Sequence, residues 1–411
     1  MAVALAASAG AAPASAGSAL TASALAPSKS APSRSGPSAL TPAQVRAQEW
    51  WIVSLNLHRA WSISKGLGVT VALLDSGVDA GFGDLRGAVR PGFIPGGRGD
   101  ARSDTDPEIH GTRLADEIAG RGTGFGLLGI APRASVLPVV IPDHDFARPT
   151  AAALNRLATL EHPPDVVNMS YGSPRACPGD VQAAVLHAVR AGIIVVAAAG
   201  NSGASTNAAA YPADCAGVVA VGAVDVHGRA WSDTERQPYV ALAAPGVHMI
   251  SADPQAASGY GYADGTSDAA AIVSGIFALV RARFPRLSAR GIVTRVLATA
   301  HQFAGRQGSR NDRLGFGVAL PYNALTAKVP ASAPNPVYDA VTAGENPVAH
   351  TAAPSGASAA GSATPPGPPR TAAAGADPSG GSTGVLVGGL VAAVVIVGLV
   401  LTLLLRGRPR S

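Results

Sequence analysis

The chain contains short, uninterrupted apolar runs that each end abruptly in a polar loop. GVTVALL (68–74) runs into DSGVD, and GIIVVAAAG (192–200) runs into NSG. A strand that is apolar at every position is buried on both faces, as strands are in a parallel sheet covered by helices. Four further segments are predicted to be strands as well, although 165–170 includes polar residues: 135–141, 165–170, 217–224 and 240–247. These runs predict a mostly parallel, buried β-sheet.

Segments with helical periodicity, such as 180–191, alternate with these runs, and this alternation predicts an α/β fold. Pro138 favours an edge position for the strand at 135–141, because proline cannot donate a ladder hydrogen bond. The segment after Ser267 carries small residues, including Ala270 and Gly275. We therefore expect a helix there that passes close to the centre of the sheet.

Composition divides the chain into one folded part and two flanking segments. Residues 49–327 contain every Trp and Cys and nearly all the periodic apolar segments, so we expect a single folded domain there. Residues 1–48 and 328–384 are dominated by Ala, Ser, Pro and Gly. Such segments bury too little apolar surface to offset the entropy cost of ordering. We predict a disordered N-terminal extension and an extended, disordered linker.

Residues 385–405, VLVGGLVAAVVIVGLVLTLLL, are uncharged and apolar throughout. A helix of this length spans about 31 Å, which matches the core of a bilayer, so a transmembrane helix is predicted. The tail 406–411 carries three arginines, and the positive-inside rule assigns such a tail to the cytoplasm. The sequence thus predicts a single-pass cell-membrane protein whose folded domain is extracytoplasmic.

The N-terminal residues favour export. Residues 1–16 combine a short apolar stretch with an Ala-x-Ala site, yet they lack the positively charged start of a secretory signal. We expect a signal peptide whose true start lies upstream of Met1, with a disordered tail as the alternative. In an exported protein Cys177 and Cys215 are expected to form a disulfide, which closes a loop of about 38 residues and stabilises the fold by about 4 kcal/mol. Free buried thiols are the alternative.

The net charge of +5 does not by itself indicate a nucleic-acid partner. The positive charge is nearly all arginine, scattered along the chain, without a basic stripe interleaved with aromatic residues. The nine histidines lack metal-ligand spacing. We therefore predict no nucleic-acid partner, no metal site and no cofactor.

Four polar residues stand where a strand ends or a helix begins. They are Asp75 after the first strand, His110 at the start of HGTRLADEIAG, Asn201 after the strongest strand, and Ser267 in DGTSDAAAIVSG. Each alone is compatible with an ordinary turn or a helix N-cap. Together, the order Asp, His, Ser, with an Asn between the last two, predicts a serine-protease triad with an amide donor for the oxyanion. These residues do not follow the order Ser, Asp, His of lipase-type esterases, and residues 49–327 contain no G-x-S-x-G motif.

Six segments carry a resemblance to a family: VTVALLDSGVD, HGTRLADEIAG, NMSYGS, VVAAAGNSG, APGV and GTSDAAAIVSG. In this order they make residues 49–327 similar to subtilisin-like serine proteases. The compact entry QEWWIVSLNLHRAWSISKGLG, the Pro-rich linker and the apolar segment near the C-terminus resemble more narrowly the mycosins, which are membrane-anchored subtilases of type VII secretion. The resemblance implies a three-layer subtilisin-like fold, a polypeptide substrate and a type VII membrane complex as partner. A structural calcium ion, which some subtilases bind, stays open.

The resemblance also implies a role for each matching residue. Ser267 would be the nucleophile, His110 the general base, and Asp75 the carboxylate that orients the imidazole. Asn201 and the backbone N–H of Ser267 would hold the oxyanion. The implied substrate-binding residues are Ser170, Tyr171 and Gly172 along the cleft, and Ala198, Ala199 and Gly200 as a wall of the specificity pocket.

Two segments depart from the family pattern. Asp268 follows Ser267 where an apolar residue is usual, and Ala271 replaces a proline; Asp116 and Glu117 stand where small and aliphatic residues are usual. If Asp268 lies near the site, its charge opposes the oxyanion and raises the pKa of His110, whereas a solvent-facing carboxylate is screened. We expect a working but slow or narrowly specific protease. The alternative is a catalytically impaired scaffold that braces a membrane secretion complex.

Overall fold

Six parallel strands form the main sheet of the computed structural model, which describes residues 40–142, 146–302 and 309–343. They are β1 (Thr70–Asp75), β2 (Ser135–Val140), β3 (Val166–Met169), β4 (Ile194–Ala198), β5 (Val218–Val224) and β6 (Val240–Pro245). Their order is β2-β1-β3-β4-β5-β6. β2 is thus an edge strand, as Pro138 predicts. β7 (Met249–Ala252) and β8 (Tyr260–Ala263) pair separately as an antiparallel hairpin that the sequence did not predict.

Helices precede, connect and follow the strands. In chain order they are α1 (Pro42–Arg46), α2 (Trp50–Ser54), α3 (Leu57–Trp61), α4 (His110–Ala119), α5 (Ala147–Ala158), α6 (Gly179–Arg190), α7 (Thr266–Arg283), α8 (Ala289–Thr299), α9 (Pro321–Thr326) and α10 (Pro336–Ala343). The helix predicted at 180–191 is α6, shifted by one residue. A short 3₁₀ turn, Gly83–Leu85, follows β1.

The sheet separates two hydrophobic cores. Along β4, Ile194 and Val196 pack on the side of α4 and α7, whereas Val195 and Ala197 pack on the side of α5 and α6. Every residue of β4 is buried. The uninterrupted apolar run is therefore explained by burial on both faces, and the predicted α/β fold with a mostly parallel sheet is confirmed.

The helix α7 runs through the first of these cores, in contact with β3 to β6. Its residues from Thr266 to Val280 are buried, apart from the half-buried Ser267. Small residues allow this close packing: a Cβ atom on Gly275 would lie 2.5 Å from the Cβ atom of Ile130. The prediction of a central helix after Ser267 is confirmed.

The folded part begins earlier than predicted. The Thr41 side chain accepts a hydrogen bond from the Gln44 N–H and caps α1. Val45 is fully buried, and Arg46 Nε donates to the Gly126 carbonyl oxygen at 3.3 Å. Disorder up to residue 48 was therefore a wrong prediction for 41–48, because an average over a biased composition hides a short capped helix.

The folded part also ends later than predicted. Asn335 Nδ2 donates to the Arg290 carbonyl oxygen at 3.1 Å and to Thr294 Oγ1 at 2.9 Å, which fixes the start of α10 against α8. Tyr338 in α10 is buried. The predicted linker from 328 is therefore wrong over this helix. One buried aromatic residue and one buried amide hold a segment that its composition alone assigns to disorder.

Cys177 and Cys215 form the expected disulfide, with their Cα atoms 5.2 Å apart. It joins the segment before α6 to the segment before β5. Within the described ranges, one group of three side chains has the spacing of metal ligands, namely Cys177, Asp214 and Cys215. The disulfide occupies both sulfur atoms, so this group is not a metal site.

The described helices include none that is long and apolar enough to cross a bilayer. The predicted signal segment 1–16, the transmembrane segment 385–405 and the tail 406–411 lie outside the described residues, as does the linker beyond residue 343.

Candidate active site

Asp75 and His110 meet where β1 ends and α4 begins. The His110 Nδ1–H donates to Asp75 Oδ1 at 2.8 Å. The same carboxylate oxygen accepts from the Ser76 backbone N–H at 2.9 Å, so the carboxylate is held from two sides. Asp75 is buried, whereas the imidazole is about one third exposed. A buried carboxylate therefore fixes the tautomer of a ring whose Nε2 remains to exchange protons.

The close approach of α4 to β1 depends on Gly111 and Ser76. Ser76 Oγ accepts from the Gly111 N–H at 3.0 Å and donates to Asp75 Oδ1 at 3.2 Å. A Cβ atom on Gly111 would lie 2.2 Å from the Gly77 carbonyl oxygen. Glycine is therefore required directly after His110.

Ser267 is the second residue of α7, whose N-cap is Gly265 without a side-chain hydrogen bond. The N-cap interpretation of this hydroxyl is therefore wrong. Ser267 Oγ instead donates to the Ser170 carbonyl oxygen at 2.9 Å, and Ser170 Oγ donates to the Ser267 carbonyl oxygen at 3.0 Å. These reciprocal bonds fix the start of α7 against the end of β3.

Asn201 follows the end of β4 and is oriented by Thr266. Its Oδ1 accepts from the Thr266 N–H at 3.0 Å and from the Thr266 hydroxyl at 2.7 Å. Because the amide oxygen of Asn201 faces Thr266, the Nδ2–H donors of the same amide point away from Thr266. Asn201 and Ser267 line the same cavity. A hydroxyl and an amide donor from distant parts of the chain thus border one space.

Residues 66–317 match the subtilase family, Peptidase_S8. The chain belongs to this family. Among curated relatives, Subtilisin DY of Bacillus licheniformis is 34% identical over 239 residues, which covers 57% of this chain and 85% of that protein.

Solved mycosin structures also match this subtilase. MycP1 with its N-terminal propeptide removed is 29% identical with a TM-score of 0.60, and the match covers 68% of this chain and 98% of the MycP1 chain. The MycP3 protease from the type VII (ESX-3) secretion system is 30% identical with a TM-score of 0.59, covering 72% and 90% of the two chains. The protein is a subtilisin-type serine endopeptidase related to the mycosins.

The His110 ring of this subtilase is subject to opposing influences on its protonation. Burial lowers its pKa, because desolvation disfavours the cation, and the charge of Arg113 lowers it further. The charge and hydrogen bond of Asp75 raise it, and so does the charge of Asp268. The net effect raises the pKa of His110 to about 9. The ring is therefore mostly cationic at neutral pH.

Asp268 is buried and does not face solvent. Its Oδ1 lies 4.0 Å from Nη2 of Arg113 in α4. The Asp268 carboxylate also lies beside Glu117, a buried residue of α4. Burial, and then the charge of Asp268, raise the pKa of Glu117 well above its usual range. Both effects favour the protonated form of Glu117, which can donate a hydrogen bond to the Asp268 carboxylate.

The departures at Asp268 and Glu117 are thus parts of one arrangement. Two carboxyl groups face each other from α4 and α7 at positions where apolar side chains are usual, and the raised pKa of Glu117 favours a single negative charge on the pair. One negative charge remains near His110, compensated in part by Arg113. The pKa of Asp116 is likewise raised by burial and by the neighbouring Asp84 and Glu49.

Two cavities border the site and share Ser170 and Tyr171. One, of about 450 Å³, is lined by Asp75 and His110. The other, of about 340 Å³, is lined by Ser267 and Asn201. Of the residues predicted to bind substrate, Gly172, Ala198 and Gly200 also line the second cavity.

Ala199 does not line this cavity. It is fully buried in the core that α5 and α6 cover, because successive residues at the end of a strand point to opposite faces. Its prediction as a pocket wall was therefore wrong. The sequence pattern also failed to indicate Ser76, Thr266 and Glu235. For Thr266 a signal existed, since it lies directly before the candidate nucleophile.

Proposed function

We propose that Asp75, His110 and Ser267 act as a catalytic triad that hydrolyses peptide bonds through an acyl-enzyme. The observation that carries the proposal is the 2.8 Å hydrogen bond from His110 Nδ1 to the buried Asp75, beside the cavities that Ser267 and Asn201 border. His110 Nε2 takes the proton of Ser267 Oγ as this oxygen attacks the peptide carbonyl. The imidazolium then gives that proton to the leaving amine as the C–N bond breaks. Water attacks the acyl-enzyme by the same proton route.

The first step requires a rotation of Ser267. Its hydroxyl donates to Ser170 and has to turn about the Cα–Cβ bond toward Nε2 of His110 before attack. Loss of the hydroxyl bond to the Ser170 carbonyl is offset when the bond to a neutral imidazole forms. The Asn201 amide and the Ser267 backbone N–H, at the start of α7, would then hold the oxyanion.

A fluorophosphonate probe tests this mechanism, because it phosphonylates only a serine that a neighbouring base activates. We expect the full-length protein to be labelled and the Ser267→Ala variant to remain unlabelled. Ser62→Ala, which removes an exposed hydroxyl at the end of α3, is the matched control and should still be labelled. Failure of a correctly folded wild type to react would exclude the triad mechanism and favour the scaffold role.

Activity is expected to rise with pH up to and through about 9, since only a neutral His110 can accept the proton of Ser267. Asp268 helps to hold this pKa up, so Asp268→Asn should move the acidic limb of the kcat/KM profile to lower pH. A tenfold lower proton affinity of His110 increases the neutral fraction at pH 7 about tenfold. The measurement is the pH profile of peptide cleavage, with Asp100→Asn on an exposed turn as control. An unmoved limb in Asp268→Asn would argue against this coupling.

We also infer that residues 385–405 anchor the enzyme in the cell membrane, with the peptidase domain extracytoplasmic and 406–411 cytoplasmic. The apolar length of the segment and the arginines after it support this topology. Because MycP3 belongs to a type VII secretion system, we propose the same kind of membrane complex as partner here. Full-length protein should resist alkaline extraction from membranes, and a chain ending at residue 384 should not. Release of both in the same fraction would contradict anchoring.

A further inference from the structure

The cavity bordered by Ser267 and Asn201 contains a buried acidic group. Of the described residues that line it, Glu235 alone has an ionisable acidic or basic side chain. The wall beside it is formed by small residues, among them Ala198, Gly200 and Ala210. At about 340 Å³ the cavity has room for a long amino-acid side chain. The volume of the cavity and its single acidic side chain indicate which kind of substrate side chain it can bind.

Glu235 is held firmly in this position. Its Oε1 accepts from Ser202 Oγ at 2.6 Å, its Oε2 accepts from Tyr239 Oη at 3.1 Å, and its N–H donates to the Gly200 carbonyl oxygen at 3.1 Å. A Cβ atom on Gly200, whose φ is +118°, would lie 2.5 Å from Glu235 Oε1. The carboxylate therefore lies directly against the backbone that leads to Asn201.

The charge of Glu235 has no counter-ion of its own. Both side-chain donors to it are neutral hydroxyls, and the ion pairs within the described ranges do not include it. Burial raises the pKa of Glu235 by more than the bonds from Ser202 and Tyr239 lower it. A buried carboxylate without a cation is unfavourable, and a cation that enters the cavity offsets this cost.

We propose that this cavity receives a lysine or arginine side chain from the residue whose carbonyl group Ser267 attacks, with Glu235 as the counter-charge. The inference rests on the triad mechanism proposed above. Because the attacking hydroxyl and the oxyanion donor border this cavity, the side chain that enters it belongs to the residue at the attacked carbonyl. A methylene stem packs along Ala198 and Ala210, and its cationic end meets the carboxylate. An acidic side chain is repelled.

Peptides that differ only at this residue test the proposal with the full-length protein. We expect kcat/KM to be about 100-fold higher with lysine or arginine than with methionine or glutamine, and lowest with glutamate, since a desolvated charge pair discriminates by at least this factor. The Glu235→Gln variant should bring the ratio of basic to neutral substrates close to one. Its absolute rates are not the readout, because a purely structural role would change all substrates alike.

Three variants separate the charge from the structural contacts. Glu235→Asp retains the carboxylate and should retain a preference for basic residues, and Tyr239→Phe removes one donor but leaves the charge. Glu161→Gln, on the exposed surface, should leave the ratio unchanged. A labelled wild type that cleaves best after neutral residues, or a Glu235→Gln variant that keeps its basic preference, would overturn the inference while the triad stands. A wild type that the fluorophosphonate does not label would overturn both.

Discussion

Replacing Asp75 with Asn is expected to lower kcat for peptide cleavage by about 10⁴-fold. Asp75 Oδ1 accepts the His110 Nδ1–H and so keeps Nε2 unprotonated in the neutral ring. An asparagine that presents its Nδ2–H to Nδ1 selects the other tautomer, in which Nε2 carries the hydrogen. That ring cannot take the proton of Ser267. The geometry changes little, so the loss is one of proton position rather than of folding.

Two measurements separate this effect from a general loss of structure. Asp100→Asn makes the same substitution on an exposed turn and should leave kcat unchanged. The Asp75 charge also contributes to the raised pKa of His110, so the residual activity of Asp75→Asn should have its acidic limb below the wild-type position near pH 9. A decrease of less than about tenfold in kcat, with normal thermal stability, would remove Asp75 from the mechanism.

The sequence predicted those site residues that directly follow a buried parallel strand. Asp75 and Asn201 each follow an uninterrupted apolar run, and parallel strands bring their carboxyl ends to one edge. The chain order then supplied the pairing of Asp75 with His110. Glu235 offered no such signal, because it follows a loop after β5, and its contact with Gly200 arises only when that loop packs beside β4.

The family resemblance identified Asp268 and Glu117 as departures but could not relate them to each other. They lie 151 positions apart in the sequence, on helices whose packing only the fold specifies. A carboxyl pair can be buried here because the raised pKa of Glu117 favours its neutral form, and because Arg113 lies 4.0 Å from the Asp268 carboxylate. The ends of the domain were also mispredicted because contacts that only the fold specifies extend the domain beyond residues 49–327. Each is held by a few specific contacts, at Thr41 and at Asn335, that composition does not reveal.

Removal of the Asn201 amide is expected to lower kcat by about 10²–10³-fold, equivalent to about 2.7–4 kcal/mol of transition-state stabilisation. The Asn201→Ala variant should keep its KM nearly unchanged, because the oxyanion that this amide would serve forms only in the transition state. Thr266→Val should lose the bond from its hydroxyl to Asn201 Oδ1 and the bond from the Gly200 N–H to that hydroxyl. It keeps the backbone N–H bond to Asn201 Oδ1, so a smaller decrease is expected.

The rank order of these variants decides what Asn201 does. If the amide stabilises the oxyanion, kcat falls in the order wild type, Thr266→Val, Asn201→Ala, and fluorophosphonate labelling slows in the same order, because the phosphonyl oxygen uses the same donors. Asn201→Ala also removes the acceptor of the Thr266 N–H, so some loss of stability is expected in either case. If Asn201 only fixes the start of α7, kcat and the labelling rate of Asn201→Ala should stay near the wild-type values at temperatures well below its unfolding midpoint. A decrease of about 10²–10³-fold in both rates under the same conditions indicates the oxyanion donor.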